Sequence, residues 1–146
     1  MRGLQREDTP TGGRVQFPAT LDHVEDAVRA LHSYLGDASE CVKCFEFGLL
    51  CFEALSNAVR HGCGDDPARQ VAATVDVTGD TVALTVTDDG PGFDWRAHPA
   101  VAPGDHATGG RGLLILREYA DQVRFNEAGN QVTIVKRIRL AAESAE

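Results

Sequence analysis

The hydrophobic positions of the chain follow two different periods, and each period predicts one kind of element. Apolar residues that alternate with polar ones predict strands, and apolar residues at three- and four-residue spacing predict helices. Strands are predicted at residues 14–18, 71–77, 82–86, 123–125 and 132–140. Helices are predicted at residues 21–35, 39–62 and 109–119. With the helices mainly on one face of a mixed, mostly antiparallel sheet, the predicted fold class is α/β, a two-layer α/β sandwich.

The two ends of the chain and one long loop set the limits of a single predicted domain. Residues 1–13 and 141–146 are polar and follow neither period, which predicts flexible tails around a domain of residues 14–140. The first strand ends in Pro18, which favours a place at the sheet edge because proline has no N–H to donate. Residues 94–108 also lack a period and are predicted to form one long loop.

Short local signals mark a turn and a helix start. Gly79 and Asp80 separate two alternating segments, so those segments are predicted to form an antiparallel hairpin. The second strand of that hairpin leads directly to Asp88. Thr20 and Asp22 are both candidates for the N-cap of the first helix, because either side chain can accept a backbone N–H.

The predicted helix 39–62 carries an unexpected polar stripe. Glu53, Asn57 and His61 are four residues apart, so they lie on one side of the helix. The rest of this helix is largely apolar, and burying a polar group there costs about 2–7 kcal/mol unless something bonds it. The stripe therefore predicts a ligand, and we expect a hydrated metal ion that carries a nucleotide triphosphate.

Two later segments contain glycine-rich motifs. They read Asp88-Asp89-Gly90-Pro91-Gly92-Phe93-Asp94 and Gly109-Gly110-Arg111-Gly112-Leu113. Together with the helix that bears Glu53 and Asn57, and in the same order, they resemble the GHKL-type ATP-binding domain shared by DNA gyrase, histidine kinases, MutL and a class of chaperones. The resemblance covers about residues 14–140 and is strongest for the anti-sigma factor serine/threonine kinases. It implies a Bergerat-type ATP-binding fold.

The resemblance also implies a role for the polar stripe and for the first glycine motif. Asn57 would provide its amide oxygen to Mg²⁺, which prefers hard oxygen ligands and keeps several waters. Glu53 would act as the general base that takes the proton from a serine or threonine hydroxyl. Asp88 would accept the exocyclic amine of adenine, while Gly90 and Gly92 would let the backbone approach the base without a Cβ.

The second glycine motif would hold the phosphates of ATP, because amides at the start of a helix bind anions and an arginine adds charge. The resemblance assigns this role to Gly110, Arg111, Gly112 and Leu113. Arg60 and His61 match positions that contact phosphate in related kinases, but a cation at a helix C-terminus is also favourable without a ligand, and both interpretations stay open. The loop 94–108 would form a lid over the nucleotide.

Composition narrows the function classes. The 146 residues are 42% apolar and 25% charged, which is ordinary for one soluble globular domain. The formal net charge of −8 argues against direct binding to nucleic acid and against docking on an anionic membrane, but it permits a basic protein partner. The chain has no apolar run of about 18 residues that could span a membrane, and residues 1–8 do not resemble a signal peptide. We therefore expect a cytoplasmic protein with reduced cysteines.

Three cysteines form a second stripe on the predicted helix 39–62. Cys41, Cys44 and Cys51 have the spacing of a helix face, which admits either a metal site or a seam of small, polarizable core residues. The core interpretation is favoured, because no further cysteine or histidine pair completes four ligands. Cys63 lies in a turn beside the expected phosphate site and could be reactive.

The most specific prediction is an ATP-dependent protein serine/threonine kinase of the anti-sigma factor type. By resemblance it would phosphorylate a small antagonist (anti-anti-sigma) protein, alternate between that partner and a sigma factor, and form homodimers. The 13 residues before the predicted domain cannot supply the phosphoacceptor helices of a histidine kinase. Two alternatives remain: an ATP-dependent switch that binds a partner without phosphoryl transfer, and a detached histidine-kinase-like module that acts on another chain.

Overall fold

The structure of the chain, a computed structural model, describes residues 3–35, 42–90, 116, 118–126 and 130–138. The strands are β1 (Gln5–Thr9), β2 (Gly12–Pro18), β3 (Gln70–Thr78), β4 (Thr81–Asp88), β5 (Gln122–Phe125) and β6 (Gln131–Arg137). The helices are α1 (Val24–Ser33), which follows a 3₁₀ turn (Leu21–His23), and α2 (Val42–Asn57), which continues as a π-helical turn (Ala58–Gly62). The described strands form one sheet in the order β1-β2-β3-β4-β6-β5.

The predicted α/β class is confirmed, but the sheet is not mixed, because every neighbouring pair of described strands is antiparallel. The register of the sheet aligns buried apolar residues in one row across the central strands and threonines in the neighbouring row. Val15, Ala73, Val86 and Val132 are successive partners and all four are buried. The neighbouring row of Thr74, Thr85 and Thr133 lies on the other, half-exposed face.

The core lies between the buried face of the sheet and the two helices. Leu31 of α1 and Phe47, Leu50 and Leu55 of α2 are fully buried against it. Burying one such side chain stabilises the fold by roughly 1.5–3 kcal/mol, so this layer supplies much of the driving force for folding. Within the described residues, no helix has both the length and the apolar content needed to cross a bilayer.

The N-terminal segment differs from the prediction of a flexible tail to residue 13. Gln5–Thr9 form β1, which pairs with β2 from Gln5 opposite Gln16 to Thr9 opposite Gly12. The strand carries exposed polar side chains and therefore has no hydrophobic pattern, but Arg6 packs on Tyr34 with its guanidinium 5.0 Å from the ring centroid. As a result β2 is an inner strand, and the prediction of an edge position for it is wrong.

The helix boundaries also differ in detail. Residues 21–23 form a 3₁₀ turn instead of the first turn of α1, and Thr20 makes no side-chain cap bond. Its hydroxyl lies 2.8 Å from Nδ1 of His23. The predicted helix 39–62 is α-helical only to Asn57, because the N–H of Cys63 donates to the carbonyl of Ala58 (2.8 Å), five residues earlier.

The cysteines partly contradict the expectation of reduced thiols. Cys44 is disulfide-bonded, whereas Cys51 and Cys63 are free. Cys44 and Cys51 are completely buried, as expected for a core seam. Burial raises the pKa of the Cys51 thiol far above its usual range, so this group stays protonated. The described residues contain no group of three or more His, Cys, Asp or Glu side chains that could hold a metal ion.

The predicted hairpin is confirmed, and its turn provides a test of the fold. Thr78 pairs with Thr81 across Gly79 and Asp80, and Gly79 has a φ of +61°, which a side chain disfavours. We expect Gly79→Ala to lower the free energy of unfolding by about 1–2 kcal/mol, measured by urea denaturation. Gly48→Ala is the matched control, because its Cβ would meet nothing closer than His32 at 3.7 Å. Equal losses in both variants would contradict the assigned turn geometry.

Candidate functional site

A cleft of about 350 Å³, counting its open mouth, lies where β4 ends beside the last turns of the α2 helix. One wall of the cleft is formed by α2 and the π-helical turn, and the floor is formed by β4. The opposite wall is formed by β5, β6 and Leu116. The described residues that line it are Ala54, Asn57, Ala58, Gly62, Val86, Asp88, Leu116, Phe125, Asn130, Gln131 and Val132. Most of this lining is apolar, and Asp88 is its one carboxylate among the described residues.

Asp88 is the last residue of β4 and only 6% exposed. The alternation of the strand places it two residues after buried Val86, on the core face. The N–H of Gly90 donates to Oδ1 of Asp88 (2.9 Å), and the Asp88 N–H donates to the carbonyl of Asn130 (3.0 Å). Burial raises the pKa of the Asp88 carboxyl above its ordinary value, and the hydrogen bond from Gly90 opposes this rise.

Two glycines allow the backbone to close around this carboxylate. A Cβ on Gly62 would overlap the Asp88 side chain, with its Cγ at 2.6 Å, and a Cβ on Gly90 would overlap the carbonyl of Gly62. The first glycine motif predicts Gly90 as a site residue, whereas the sequence pattern predicts Gly62 only as the end of a helix. The only sequence signal for Gly62 is its place directly after the polar stripe.

The π-helical turn explains how Gly62 reaches Asp88. The Cys63 N–H bonds the Ala58 carbonyl and the Asp65 N–H bonds the Val59 carbonyl, both at 2.8 Å, so this turn is wider than an α-helical one. Such turns insert an extra residue into a helix and are frequent at functional sites. Here the extra residue moves the end of the helix against the end of β4.

Of the residues of the predicted polar stripe, only Asn57 is among the described lining residues of the cleft. Asn57 is half-buried and lines the cleft between Ala54 and Ala58. Glu53 lies one turn earlier and is also half-buried, but it is not part of the described lining. Arg60 is exposed and His61 is half-buried, and neither is among the described lining residues. Their predicted roles therefore stay predictions.

The wall opposite α2 consists of residues that no sequence motif predicts as part of the site. Phe125, Asn130 and Gln131 line the cleft from β5 and β6. Oδ1 of Asn126 accepts the N–H groups of Asn130 (3.1 Å) and Gln131 (3.2 Å), which connects the end of β5 to the start of β6. In the sequence, Phe125 has the pattern of an ordinary strand residue and Asn130 that of an ordinary turn residue. Only the three-dimensional structure shows that both line the same cleft as Asp88.

Two neighbours of the cleft are Asp89 and Cys63. Asp89 stands in the first glycine motif without a predicted role, and its Oδ1 accepts the Gln70 N–H (3.0 Å) while its carbonyl accepts a bond from Arg69 (2.9 Å). Cys63 is only 4% exposed, and burial together with the charges of Asp88 and Asp89 raises its pKa to about 11. The thiol is therefore protonated at neutral pH, which contradicts the idea of a reactive cysteine.

Several predicted site residues lie outside the described part of the chain. These are Gly92, Gly110, Arg111, Gly112 and Leu113, together with the predicted lid at residues 94–108. Their assignment to phosphate and base contacts stays a prediction from the motifs.

The described geometry suits a flat ring with a hydrogen-bond donor on one edge. Val86, Leu116 and Phe125 offer apolar contact, and Asp88 offers an acceptor at the floor. Four of the described lining side chains carry an oxygen atom: those of Asn57, Asp88, Asn130 and Gln131. Of these, Asn57 is the one on the α2 wall, and its amide oxygen is a hard ligand of the kind that Mg²⁺ accepts beside phosphate oxygens and water.

The chain is similar to known proteins over most of its length. Residues 17–136 match the family model described as histidine kinase-like ATPase domain. The chain is 31% identical over 97 residues to the anti-sigma F factor of Anoxybacillus flavithermus, which covers 63% of this chain and 66% of that protein. It is 32% identical over 92 residues to the anti-sigma F factor of Pasteuria penetrans, which covers 60% of this chain and 61% of that protein. The chain thus spans less than two thirds of these relatives.

A solved structure supports the architecture. The histidine kinase domain from the blue-light activated histidine kinase of Erythrobacter litoralis EL346 is similar with a TM-score of 0.54 at 18% identity. The likeness covers 84% of this chain and 62% of that one. At this identity it shows the fold, which agrees with the predicted two-layer arrangement.

Proposed function

The chain belongs to the histidine kinase-like ATPase domain family, and we propose that it is an ATP-dependent protein serine/threonine kinase of the anti-sigma factor type. Its substrate would be a serine or threonine on a small antagonist protein, and the exchange of that partner with a sigma factor would regulate transcription. The observation that carries the proposal is the buried Asp88 carboxylate between Gly62 and Gly90 in a mostly apolar cleft. The similarity to two anti-sigma F factors supports the choice of subgroup.

In this proposal the cleft binds the adenine of ATP. The Asp88 carboxylate accepts the exocyclic amine, and a hydrogen bond to a charged group contributes about 1.5–3 kcal/mol. Leu116 and Phe125 contact the faces of the ring. Gly90 and, outside the described residues, Gly92 leave room for the base. A purine without a donor at this edge loses the bond and leaves Asp88 desolvated, so adenine is the preferred base.

The polar stripe serves the phosphates. Bound MgATP supplies the γ-phosphoryl group, and Asn57 holds the cation through its amide oxygen. Glu53, one helical turn away, takes the proton from the attacking hydroxyl, which is the step a general base must perform in phosphoryl transfer. Arg60 and His61 at the end of the helix, and the motif of Gly110, Arg111, Gly112 and Leu113, complete the proposed phosphate contacts.

The proposed partners are proteins. The net charge of −8 disfavours nucleic acid and anionic membranes, and it favours a partner that presents basic groups. We propose an anti-anti-sigma antagonist as the phosphorylated partner, a sigma factor as the alternative partner, and a homodimer as the working unit. These assignments rest on the similarity to anti-sigma F factors, of which the chain spans 66% and 61%.

The decisive experiment is incubation with magnesium and γ-³²P-labelled ATP, together with the antagonist-like protein encoded in the neighbourhood of this gene. We expect ADP to form only with the partner present, and acid-stable phosphoserine or phosphothreonine to appear on that partner. Acid-labile phosphate on the partner would indicate a detached histidine-kinase-like module instead. Binding of ATP and partner without any transfer would indicate a non-catalytic switch, and the absence of ATP binding would overturn the proposal altogether.

A further inference from the structure

Lys136 is a lysine on the core side of a strand, where the sequence pattern predicts an apolar residue. The alternation of β6 places it two residues after fully buried Ile134, and it is only 2% exposed. Its Nζ donates to Oε1 of Glu46 (2.9 Å) and to the backbone carbonyl of Tyr119 (2.7 Å). A buried ammonium group is costly unless it is paired and hydrogen-bonded, and these two bonds meet that need.

The two acceptors lie outside the described lining, on the two elements that carry facing walls of the cleft. Glu46 lies on α2, seven residues or about two helical turns before Glu53. Tyr119 lies in a helical turn with Leu116, because the N–H of Ala120 donates to the Leu116 carbonyl (3.0 Å). Leu116 lines the cleft. Lys136 therefore connects the helix that carries Asn57 to the turn that carries the apolar wall facing it.

An apolar contact could supply the same stability without a charge. Replacement of a buried ion pair by well-packed apolar residues is often neutral or stabilising, so the pair is weak evidence for stability alone. A hydrogen bond to one carbonyl, however, has a defined direction and distance. An apolar contact has neither, because burial of apolar surface is non-directional. The geometry is thus suited to setting the spacing between α2 and the Leu116 turn.

We propose that Lys136 is a positioning residue of the nucleotide site. It holds the Leu116 turn at the distance from α2 at which the cleft matches a purine, and it does so through Glu46 on one side and the Tyr119 carbonyl on the other. This rests on the proposed function, because it assumes that the cleft binds a nucleotide.

The test separates positioning from stability. The double variant Lys136→Met with Glu46→Leu replaces the ion pair by apolar residues and is expected to keep the thermal midpoint of the wild type within about 3 °C. Its affinity for MgATP, measured by calorimetry, is expected to fall about tenfold or more because the wall is no longer held. A double variant that binds MgATP as tightly as the wild type would overturn the proposal.

The matched control removes an exposed ion pair. Arg29→Met breaks the bond between Arg29 and Asp26 (3.0 Å) on α1, far from the cleft lining, and should change neither the midpoint nor the affinity. Wild-type calorimetry comes first, so a chain that does not bind MgATP refutes the proposed function, whereas a tight-binding double variant refutes only the role of Lys136.

A second measurement needs no core substitution and can still refute the proposal if the double variant does not fold. Hydrogen exchange of the Ala120 amide reports on the turn that contains Leu116. In the wild type, MgATP is expected to slow this exchange about tenfold or more, because the ligand stabilises the turn that Lys136 holds. An Ala120 exchange rate that does not respond to saturating MgATP would show that the turn is not coupled to the site, and the proposal would be wrong.

Discussion

Replacement of Glu53 by glutamine is expected to abolish phosphoryl transfer while leaving nucleotide binding nearly intact. Glutamine has almost the same shape as glutamate but cannot take the proton of the attacking hydroxyl, and loss of a general base typically lowers the rate about 10²–10⁴-fold. Glu53 does not line the described cleft, so the adenine contacts do not depend on it. We expect single-turnover transfer to the antagonist protein to fall by this factor and the Kd for MgATP to change less than about threefold.

The control for Glu53→Gln is Glu25→Gln, the same substitution at an exposed position in the first turn of α1. It should transfer phosphate at the wild-type rate. If Glu53→Gln also transfers at that rate, the general base is another residue or the reaction does not take place, and the non-catalytic switch becomes the better account.

Much of the fold could be predicted because its elements are regular and half-buried. The hairpin of β3 and β4 combines strict alternation with Gly79 at the turn, and two independent signals give the same result there. β1 could not be predicted, since an exposed edge strand has polar residues on both faces. Its position depends on the backbone of β2 and on the ring of Tyr34, neither of which leaves a local pattern.

Only those residues of the candidate site that belong to a sequence motif could be predicted. Asp88 and Gly90 stand in a recognisable order of residues, and the structure places them together. Gly62 and Phe125 became visible only through contacts between segments that are distant in sequence. The π-helical turn that carries Gly62 to Asp88 adds one residue to a helix, and a helical pattern of apolar residues does not reveal where such an insertion lies.

Lys136 shows a further limit of pattern analysis. A lysine between Val135 and Arg137 near the end of the last strand resembles a surface residue, because lysine is rarely buried without a partner. Its partners are 90 and 17 residues away, at Glu46 and Tyr119. Only the three-dimensional arrangement shows that both are within reach, so no local pattern could have predicted this connection.

The ionised carboxylate of Asp88 lowers the stability of the fold because it is buried, and its proposed role in binding adenine explains why a carboxylate is present there. The folded state raises the pKa of this carboxyl above that of the unfolded chain, chiefly through burial. The folded state therefore binds the proton more tightly than the unfolded state. It follows that this group stabilises the fold at low pH and that this stabilisation is lost as the pH rises through the raised pKa. At neutral pH the ionised carboxylate is kept in the cleft at a cost, which is expected of a group that must receive a ligand.

We accordingly expect Asp88→Asn to raise the thermal midpoint of the unliganded protein at pH 7 and to weaken MgATP binding about a hundredfold. The midpoint rises because a neutral amide of the same shape avoids the desolvated charge, and affinity falls because a charge-assisted bond to the adenine amine contributes about 1.5–3 kcal/mol. The gain in midpoint should shrink as the pH is lowered through the raised pKa of Asp88, because the wild-type carboxyl then becomes protonated and neutral itself. Asp22→Asn is the control: Asp22 is exposed in the 3₁₀ turn before α1, lies outside the described lining, and its substitution should alter neither quantity appreciably. A midpoint that falls with Asp88→Asn at pH 7, or a Kd that does not change, would show that this carboxylate is a structural acceptor and not the group that recognises the base.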